Sequence, residues 1–317
     1  MDNEVIVSVL VATYNPKWPE LKRTLDSVFA QESVDFEIVI CDDGSKDNKK
    51  ELIKEYFRAI GFDMYTIDIA ESNGGTVMNI CRGLKSCKGR YIKLISPGDF
   101  LYGKDALKKL VDTAVSDKAP FVFGDVIYFD ADREQFSAIE HSAHPQLLKP
   151  FTTHDDRNII YNYLIVNDTI HGVSTLVVKD VLERYLGAQV GKIKFAEDCV
   201  YRIMIADGVK VSYCGSDIVC YSFGGGISTT KDDKWRAIIR KDLQESDREI
   251  LAIKADDKAF IRKFRYAITE RDNPTSSNKI RFWSVTPKVL VRKLKITLCH
   301  RYTNTVTNDE YINSIFL

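Results

Sequence analysis

Short apolar runs rich in β-branched residues alternate with amphipathic stretches over the first 130 residues. Residues 5–11 read VIVSVLV, a continuous apolar run of the kind buried on both faces of a central parallel strand. The run stops at Ala12-Thr13-Tyr14-Asn15-Pro16. Trp18-Pro19 then opens a helix with Leu21, Leu25, Val28 and Phe29 at helical spacing. Residues 36–41 (FEIVIC) form a second strand, closed by Asp42-Asp43-Gly44-Ser45, with Ser45 expected to cap a helix over 47–60. A third strand is predicted at 64–69, followed by Asn73-Gly74-Gly75 and a helix through Met78, Ile80 and Leu84. The fourth, 91–95, runs into the turn Ser96-Pro97-Gly98-Asp99. A helix at 104–115 and a fifth strand at 121–129 complete the series. Strands and helices alternating at this spacing predict an α/β fold: a mostly parallel sheet with helices on both faces.

Beyond 130 the pattern loosens. Residues 130–170 show few periods and hold His141, His144 and His154, with His171 just after. No metal-ligand spacing such as H-x-x-x-H appears, so the segment is expected to be a solvated, substrate-side loop. Short strands are expected at 175–178, 209–213 and 218–223, with Glu197-Asp198 leading into a helix at 199–206. The glycine-rich run 224–230, which includes Ser228, has the length of a loop that closes over a ligand. From 231 the composition becomes more charged, and two helices are expected in 234–270, separated near 255–257. The division expected is a catalytic unit over 1–230 and a helical extension over 231–317. Within that extension 279–301 is basic without one acid, and Phe282, Trp283, Val289, Leu290, Leu294 and Leu298 are interleaved. Such a segment fits a peripheral contact with anionic lipid; it equally fits a helical tail packed on the rest of the chain.

Composition narrows the class. The 317 residues carry 45 basic and 45 acidic side chains, so nothing points to nucleic acid. Seven cysteines without C-x-x-C spacing read as reduced, mostly buried thiols rather than a disulfide frame or zinc site. The acidic start Met1-Asp2-Asn3-Glu4 does not read as a signal peptide, and no apolar run is long enough to cross a bilayer; the expectation is a cytoplasmic protein.

Three polar loops follow strands: Thr13-Tyr14-Asn15, Asp42-Asp43-Gly44-Ser45 and Ser96-Pro97-Gly98-Asp99. In a parallel sheet these strand ends share one edge, where ligands bind. Taken in order with Leu25-Asp26-Ser27-Val28, Gln31, Asn73-Gly74-Gly75, Asn79, Gly83, Lys88-Gly89-Arg90-Tyr91-Ile92 and Glu197-Asp198, the series resembles the inverting family 2 glycosyltransferases of GT-A (Rossmann-like) fold, over about residues 5–225. The resemblance implies a nucleoside diphosphate sugar donor, UDP by preference. Thr13, Tyr14, Asn15, Asp42, Asp43, Asn73 and Gly75 would line the nucleotide pocket. Ser96, Pro97 and Gly98 would lie at the diphosphate, Asp99 would hold Mn²⁺ or Mg²⁺, and Ser228 would sit on the closing loop. Asp198 would be the catalytic base with Glu197 beside it. The chain departs from the pattern at Ser96 and Gly98, where the family carries metal-binding acids, which implies a reduced metal site.

On the residues alone, Asp198 also reads as an acid at a helix N-terminus, and His171 as a buried histidine, a metal ligand or an acceptor contact. Two functions therefore fit these residues. One is a transferase acting on a saccharide or lipid-linked saccharide in surface polysaccharide assembly, placed peripherally on the inner face of the membrane. The other is a degenerate domain that binds a nucleotide sugar or a partner without turnover. A nucleotidyltransferase is disfavoured, because Ala12-Thr13-Tyr14-Asn15-Pro16 is not a glycine-rich phosphate loop with an activating cation. Self-association through the C-terminal helices is left open.

Overall fold

The structure, a computed structural model, describes residues 6–130, 136–224 and 232–316. In chain order the first half contains β1 (Val7–Thr13), α1 (Trp18–Phe29), β2 (Phe36–Asp42), α2 (Lys50–Ile60), β3 (Tyr65–Ile69), α3 (Thr76–Leu84), β4 (Tyr91–Ile95), β5 (Phe100–Leu101), α4 (Ala106–Ser116) and β6 (Phe121–Asp130). Next come β7 (Ala138–Ile139), α5 (Lys149–Thr152), α6 (Asp156–Tyr161), a π-helical turn Asn162–Val166, β8 (Thr175–Val178), α7 (Lys179–Gly187), α8 (Cys199–Ala206) and β9 (Val211–Phe223). The chain closes with α9 (Asp233–Ile253), α10 (Lys258–Asp272), α11 (Ser276–Val285), α12 (Pro287–Leu298) and α13 (Asp309–Phe316).

The described strands make one sheet of order β3-β2-β1-β4-β8-β6-β9-β5, with β7 on β6. Its first four strands are parallel, as their alternation with helices requires. The fifth long strand departs from the simple series. β8 inserts between β4 and β6 and runs antiparallel to both, so β6 is not the next parallel neighbour of β4. Successive β1 and β2 residues feed opposite cores. Leu10 and Val39 face one, with Ile80, Ile92 and Tyr201; Val9, Val11, Ile38 and Ile40 face the other, with Leu25, Phe57 and Leu107. Burial on both sides explains the unbroken apolar runs, and each such aliphatic side chain contributes about 1.5–3 kcal/mol.

Several expectations are corrected. Residues 209–213 and 218–223 are not separate strands. β9 runs continuously and turns at Gly215, where φ is +71°, with register shifts against β6 on either side of Asp125. Ser45 caps no helix: α2 begins only at Lys50, preceded by Lys49 at φ +58°, and the Ser45 hydroxyl turns back to Asp42. Residues 149–166 are not a solvated loop. They fold as α5, α6 and the π turn, and Phe151, Ile159, Tyr163, Leu164 and Ile165 are buried in the first core. The basic segment 279–301 folds largely as two helices, α11 and α12, which meet at Thr286-Pro287. The glycine-rich run lies outside the described residues beyond Gly224, and with it Ser228. No cysteine is disulfide-bonded; Cys41, Cys87, Cys199 and Cys220 are buried.

The C-terminal helices share the first core, to which α9–α12 contribute Ile250, Phe264, Phe282 and Val289. A buried ion-pair network adds to this. Arg202 of α8 donates to Asp247 of α9 at 2.7 Å, and Arg271 of α10 reaches the other Asp247 oxygen at 2.6 Å. α13 returns to the opposite edge of the sheet, where Tyr311, Ile312 and Ile315 cluster with Phe100, Ile127 and Phe129.

Candidate active site

The three polar loops after β1, β2 and β4 lie along one edge of the sheet, and the first two meet beside the N-terminus of α3. Asp42 organises the first two. Its carboxylate accepts from the Thr13 hydroxyl at 2.7 Å, from the Ser45 amide at 2.8 Å and from the Ser45 hydroxyl at 2.6 Å. The Asn15 amide in turn donates to the Ser45 hydroxyl at 2.6 Å, which holds Asn15 at φ +48°. Thr13 and Asp42 are therefore buried struts, while Tyr14, 56% exposed, projects from the loop they brace.

Asp43 does different work. Its two carboxylate oxygens accept from the Gly74 and Gly75 amides at 2.8 and 2.9 Å, fixing the turn that begins α3. Gly75 has φ +94°, and a Cβ there would meet the Lys194 side chain at 2.5 Å and its carbonyl at 2.7 Å. That close approach carries the Val77 amide onto the Lys194 carbonyl at 3.1 Å. The segment leading to Glu197-Asp198 is thus seated against the mouth of α3. Asn73 is exposed at the same mouth.

The third loop is braced from α1. The Thr24 hydroxyl donates to the Asp99 carbonyl at 2.6 Å and accepts from the Gly98 amide at 3.2 Å; the Ser27 hydroxyl accepts from the Leu101 amide at 3.0 Å. Ser96 is exposed and Pro97 half-buried. Asp99 is 8% exposed and accepts from the Ser222 amide of β9 at 2.9 Å. Burial pushes its carboxyl up to about 7, partly offset by that amide and by Lys93. Lys93 is fully buried, and its ammonium donates to the Leu94 and Val173 carbonyls; burial lowers it to about 7.

Asp198 immediately precedes α8, but its side chain caps none of the helix amides. Asp198 is exposed by accessible surface, yet one side of its carboxylate is packed against the backbone at Gly172. Gly172 lies so close that a Cβ there would come within 1.9 Å of Asp198 Oδ1. That enclosure raises the carboxyl above the ordinary carboxylate range. Glu197 is raised too, by burial first and by the neighbouring Asp198 charge second. Tyr163 and Tyr201 are buried within the influence of the same charge.

Some residues around the candidate site carried no sequence signal. Asp242, from α9, accepts from the Lys194, Phe195 and Ala196 amides at 3.1, 2.7 and 3.0 Å. It holds the segment that delivers Asp198. Gly172 and Lys93 are likewise legible only in three dimensions. Of the four histidines between 141 and 171, His154 stands apart beside Asp117. His141 stacks on Tyr128 with ring centroids 4.4 Å apart, and His171 meets Tyr221 at 4.4 Å. Burial lowers His171 to about 4. Among the described residues no three His, Cys, Asp or Glu side chains converge as a metal site. A cavity of about 540 Å³ between α1, α2 and α13 sits at helix C-termini, opposite the loops, and its Asp26 is already bonded to Lys22 and Tyr56.

Polar loops after parallel strands thus lie along one sheet edge, with the segment leading to Glu197-Asp198 seated against the N-terminus of α3. Residues 8–182 match the family model described as glycosyl transferase family 2. The chain belongs to that family. It is similar, at 24% identity over 206 residues, to the uncharacterized glycosyltransferase EpsJ of Bacillus subtilis, covering 62% of this chain and 55% of EpsJ. It is 30% identical over 122 residues to the poly(ribitol-phosphate) β-N-acetylglucosaminyltransferase TarP of Staphylococcus aureus, covering 37% and 36% of the two chains. The chain thus spans about half or less of the length of these relatives. In fold it resembles residues 1–349 of S. aureus TarS, solved with UDP-GlcNAc: TM-score 0.58 and 17% identity over 90% of this chain and 80% of that one. The GT-A architecture, with its helical C-terminal region, is therefore this family 2 chain's own.

Proposed function

We propose that this domain is an inverting glycosyltransferase. In this reading it moves a sugar from a nucleoside diphosphate donor, UDP by preference, to a saccharide or lipid-linked saccharide in surface polysaccharide assembly on the inner face of the membrane. The observation that carries the reading is Asp198, an exposed carboxylate that caps no helix amide, is packed against Gly172 on one side and has its pKa raised by burial. The TarS complex with UDP-GlcNAc supports a nucleotide-sugar donor, and TarP's name, a β-N-acetylglucosaminyltransferase, supports sugar transfer.

The roles follow from placement. Asp42, Thr13 and Ser45 hold the β1 and β2 loops for the base and ribose, with Tyr14 and Asn15 on the nucleotide side. Asp43 keeps the Gly74-Gly75 turn, next to Asn73, in shape. Asp198 takes the proton from an acceptor hydroxyl as that oxygen forms its bond to the anomeric carbon. The bond from that carbon to the diphosphate oxygen breaks on the opposite face, and the configuration inverts. Glu197 is a positioning acid beside the base.

A divalent cation, Mn²⁺ or Mg²⁺, would serve this family's chemistry by neutralising the leaving diphosphate. The residues present do not make a set that holds one. Ser96 and Gly98 are not ligating acids, and the single Asp99 carboxylate is buried, bonded to the Ser222 amide and influenced by Lys93. The same incompleteness favours the second reading, a domain that binds donor without turnover.

Donor binding and transfer, measured together for the wild type and Asp198→Asn, separate the two. The expected result is turnover reduced about 10²–10⁴-fold with donor affinity little changed. Equal turnover in the variant removes Asp198 as the base. Donor binding by the wild type without turnover, across saccharide and lipid-linked acceptors, establishes the non-catalytic reading.

A further inference from the structure

Helix α12 has two faces that do different things. Its inner face is anchored. Val289 is fully buried, and Arg292 donates to the side-chain oxygens of Asn158 and Asn162 and lies 4.3 Å over the Tyr161 ring. These contacts fix the rotation of the helix about its own axis. They turn Leu290, Val291, Leu294 and Leu298 outward, with exposures of 43, 66, 58 and 74%. At about 100° per residue these four positions fall within one arc of about 100°. Exposed Lys288 and Lys295 border that arc on one side and exposed Lys293 on the other. Helix α11 adds Ile280, 64% exposed, between Lys279 and Arg281.

Of the 15 large apolar side chains exposed among the described residues, five lie in 280–298, so the patch is not scattered surface. Residues 276–301 carry seven basic side chains and no acid. A second copy of the chain docked through this face would set cations against cations. An anionic bilayer instead offers acyl chains to the stripe and phosphates to its borders, with lysine stems lying along the apolar surface.

We propose that α12, supported by α11, seats the domain on an anionic lipid surface. Leu290, Val291, Leu294 and Leu298 enter the boundary between headgroups and acyl chains, while Lys288, Lys293 and Lys295 meet lipid phosphates. No described helix is long and apolar enough to cross a membrane, so this contact is one of lying on the surface. The proposal does not rest on transfer activity, since the surface and the cleft share no side chain.

Flotation of the full chain with vesicles of phosphatidylglycerol and phosphatidylcholine, against vesicles of phosphatidylcholine alone, tests it. The expected outcome is binding at least about tenfold stronger to the anionic vesicles and reversed by high salt. Leu294→Ser with Leu298→Ser, and separately Lys288→Gln with Lys293→Gln and Lys295→Gln, should each lower that binding about tenfold or more. Thermal melting should be unchanged in both sets, because the altered side chains are exposed. Failure of the wild type to bind anionic vesicles overturns the proposal, as does undiminished binding by both variants. So does a wild-type dimer by light scattering that the leucine variant dissociates, which would assign the face to a second copy.

Discussion

Asp198 and Gly172 form a unit at the scale of single residues. The carboxylate keeps its place because position 172 has no side chain: a Cβ would sit 1.9 Å from Oδ1. Gly172→Ala should therefore displace the proposed base without removing it. We expect transfer to fall by at least about tenfold with donor affinity retained, since a small misplacement of a reacting group is costly; kinetics at saturating donor check this. The raised pKa of Asp198 gives a pH signature as well. The base is inactive when protonated, so kcat/KM should fall on the acid side through an apparent pKa above the usual carboxylate value of about 4. Stability runs the other way. A carboxyl with a raised folded pKa contributes most below its unfolded pKa, and that contribution is lost as pH rises through the folded value. Asp198→Asn should thus lose the acid limb while keeping, or raising, the melting temperature above neutral pH. A purely structural acid would show the opposite.

At the scale of elements, the candidate-site loops are held by the helices packed behind them. α1 braces the 96–99 turn through Thr24 and Ser27, which lie within or beside the Leu25-Asp26-Ser27-Val28 motif. That motif, read in the sequence as part of a functional resemblance, is structural support for the donor edge. Ser8, Glu37 and Gly89 are similar: the Ser8 hydroxyl donates to Glu37 at 2.6 Å and accepts from the Gly89 amide at 2.8 Å, before β4 begins. α9 braces the other side, where Asp242 gathers three consecutive amides ahead of Glu197. Asp242→Ala should cost about 2–4 kcal/mol of unfolding free energy, because several donors lose a charged acceptor. It should also lower turnover by loosening Asp198. Denaturant melts beside kinetics would show both, and unchanged turnover in a folded variant would mean the segment holds its shape unaided.

The whole molecule determines whether residues 231–317 can be removed. Ile250, Phe264, Phe282 and Val289 lie in the same core as β1 and β2, and Arg202 of α8 is paired to Asp247 with side-chain exposures of 9% and 5%. Truncation after residue 231 would strip that core and leave Arg202 without its buried partner, a loss worth about 3–5 kcal/mol by itself. We expect residues 1–231 not to give a cooperative thermal transition; a sharp one would show that the sheet domain folds alone. The alternation of apolar runs and amphipathic helices determined by itself the α/β class, the parallel half of the sheet and the edge where Asp42, Asp43 and Asp99 gather. Local periodicity reports which faces must be buried, and parallel strands send their ends to one side. Only the tertiary structure decided that β8 splits the sheet, that Asp99 is bonded to β9, that Asp198 rests on Gly172 and that Asp242 holds the approach. Each of these joins residues distant in the chain, and no local pattern encodes such a pairing. The basic segment shows the same division. Its lysines and leucines were visible in the chain, but only the anchoring of Arg292 and Val289 fixes which of them face outward.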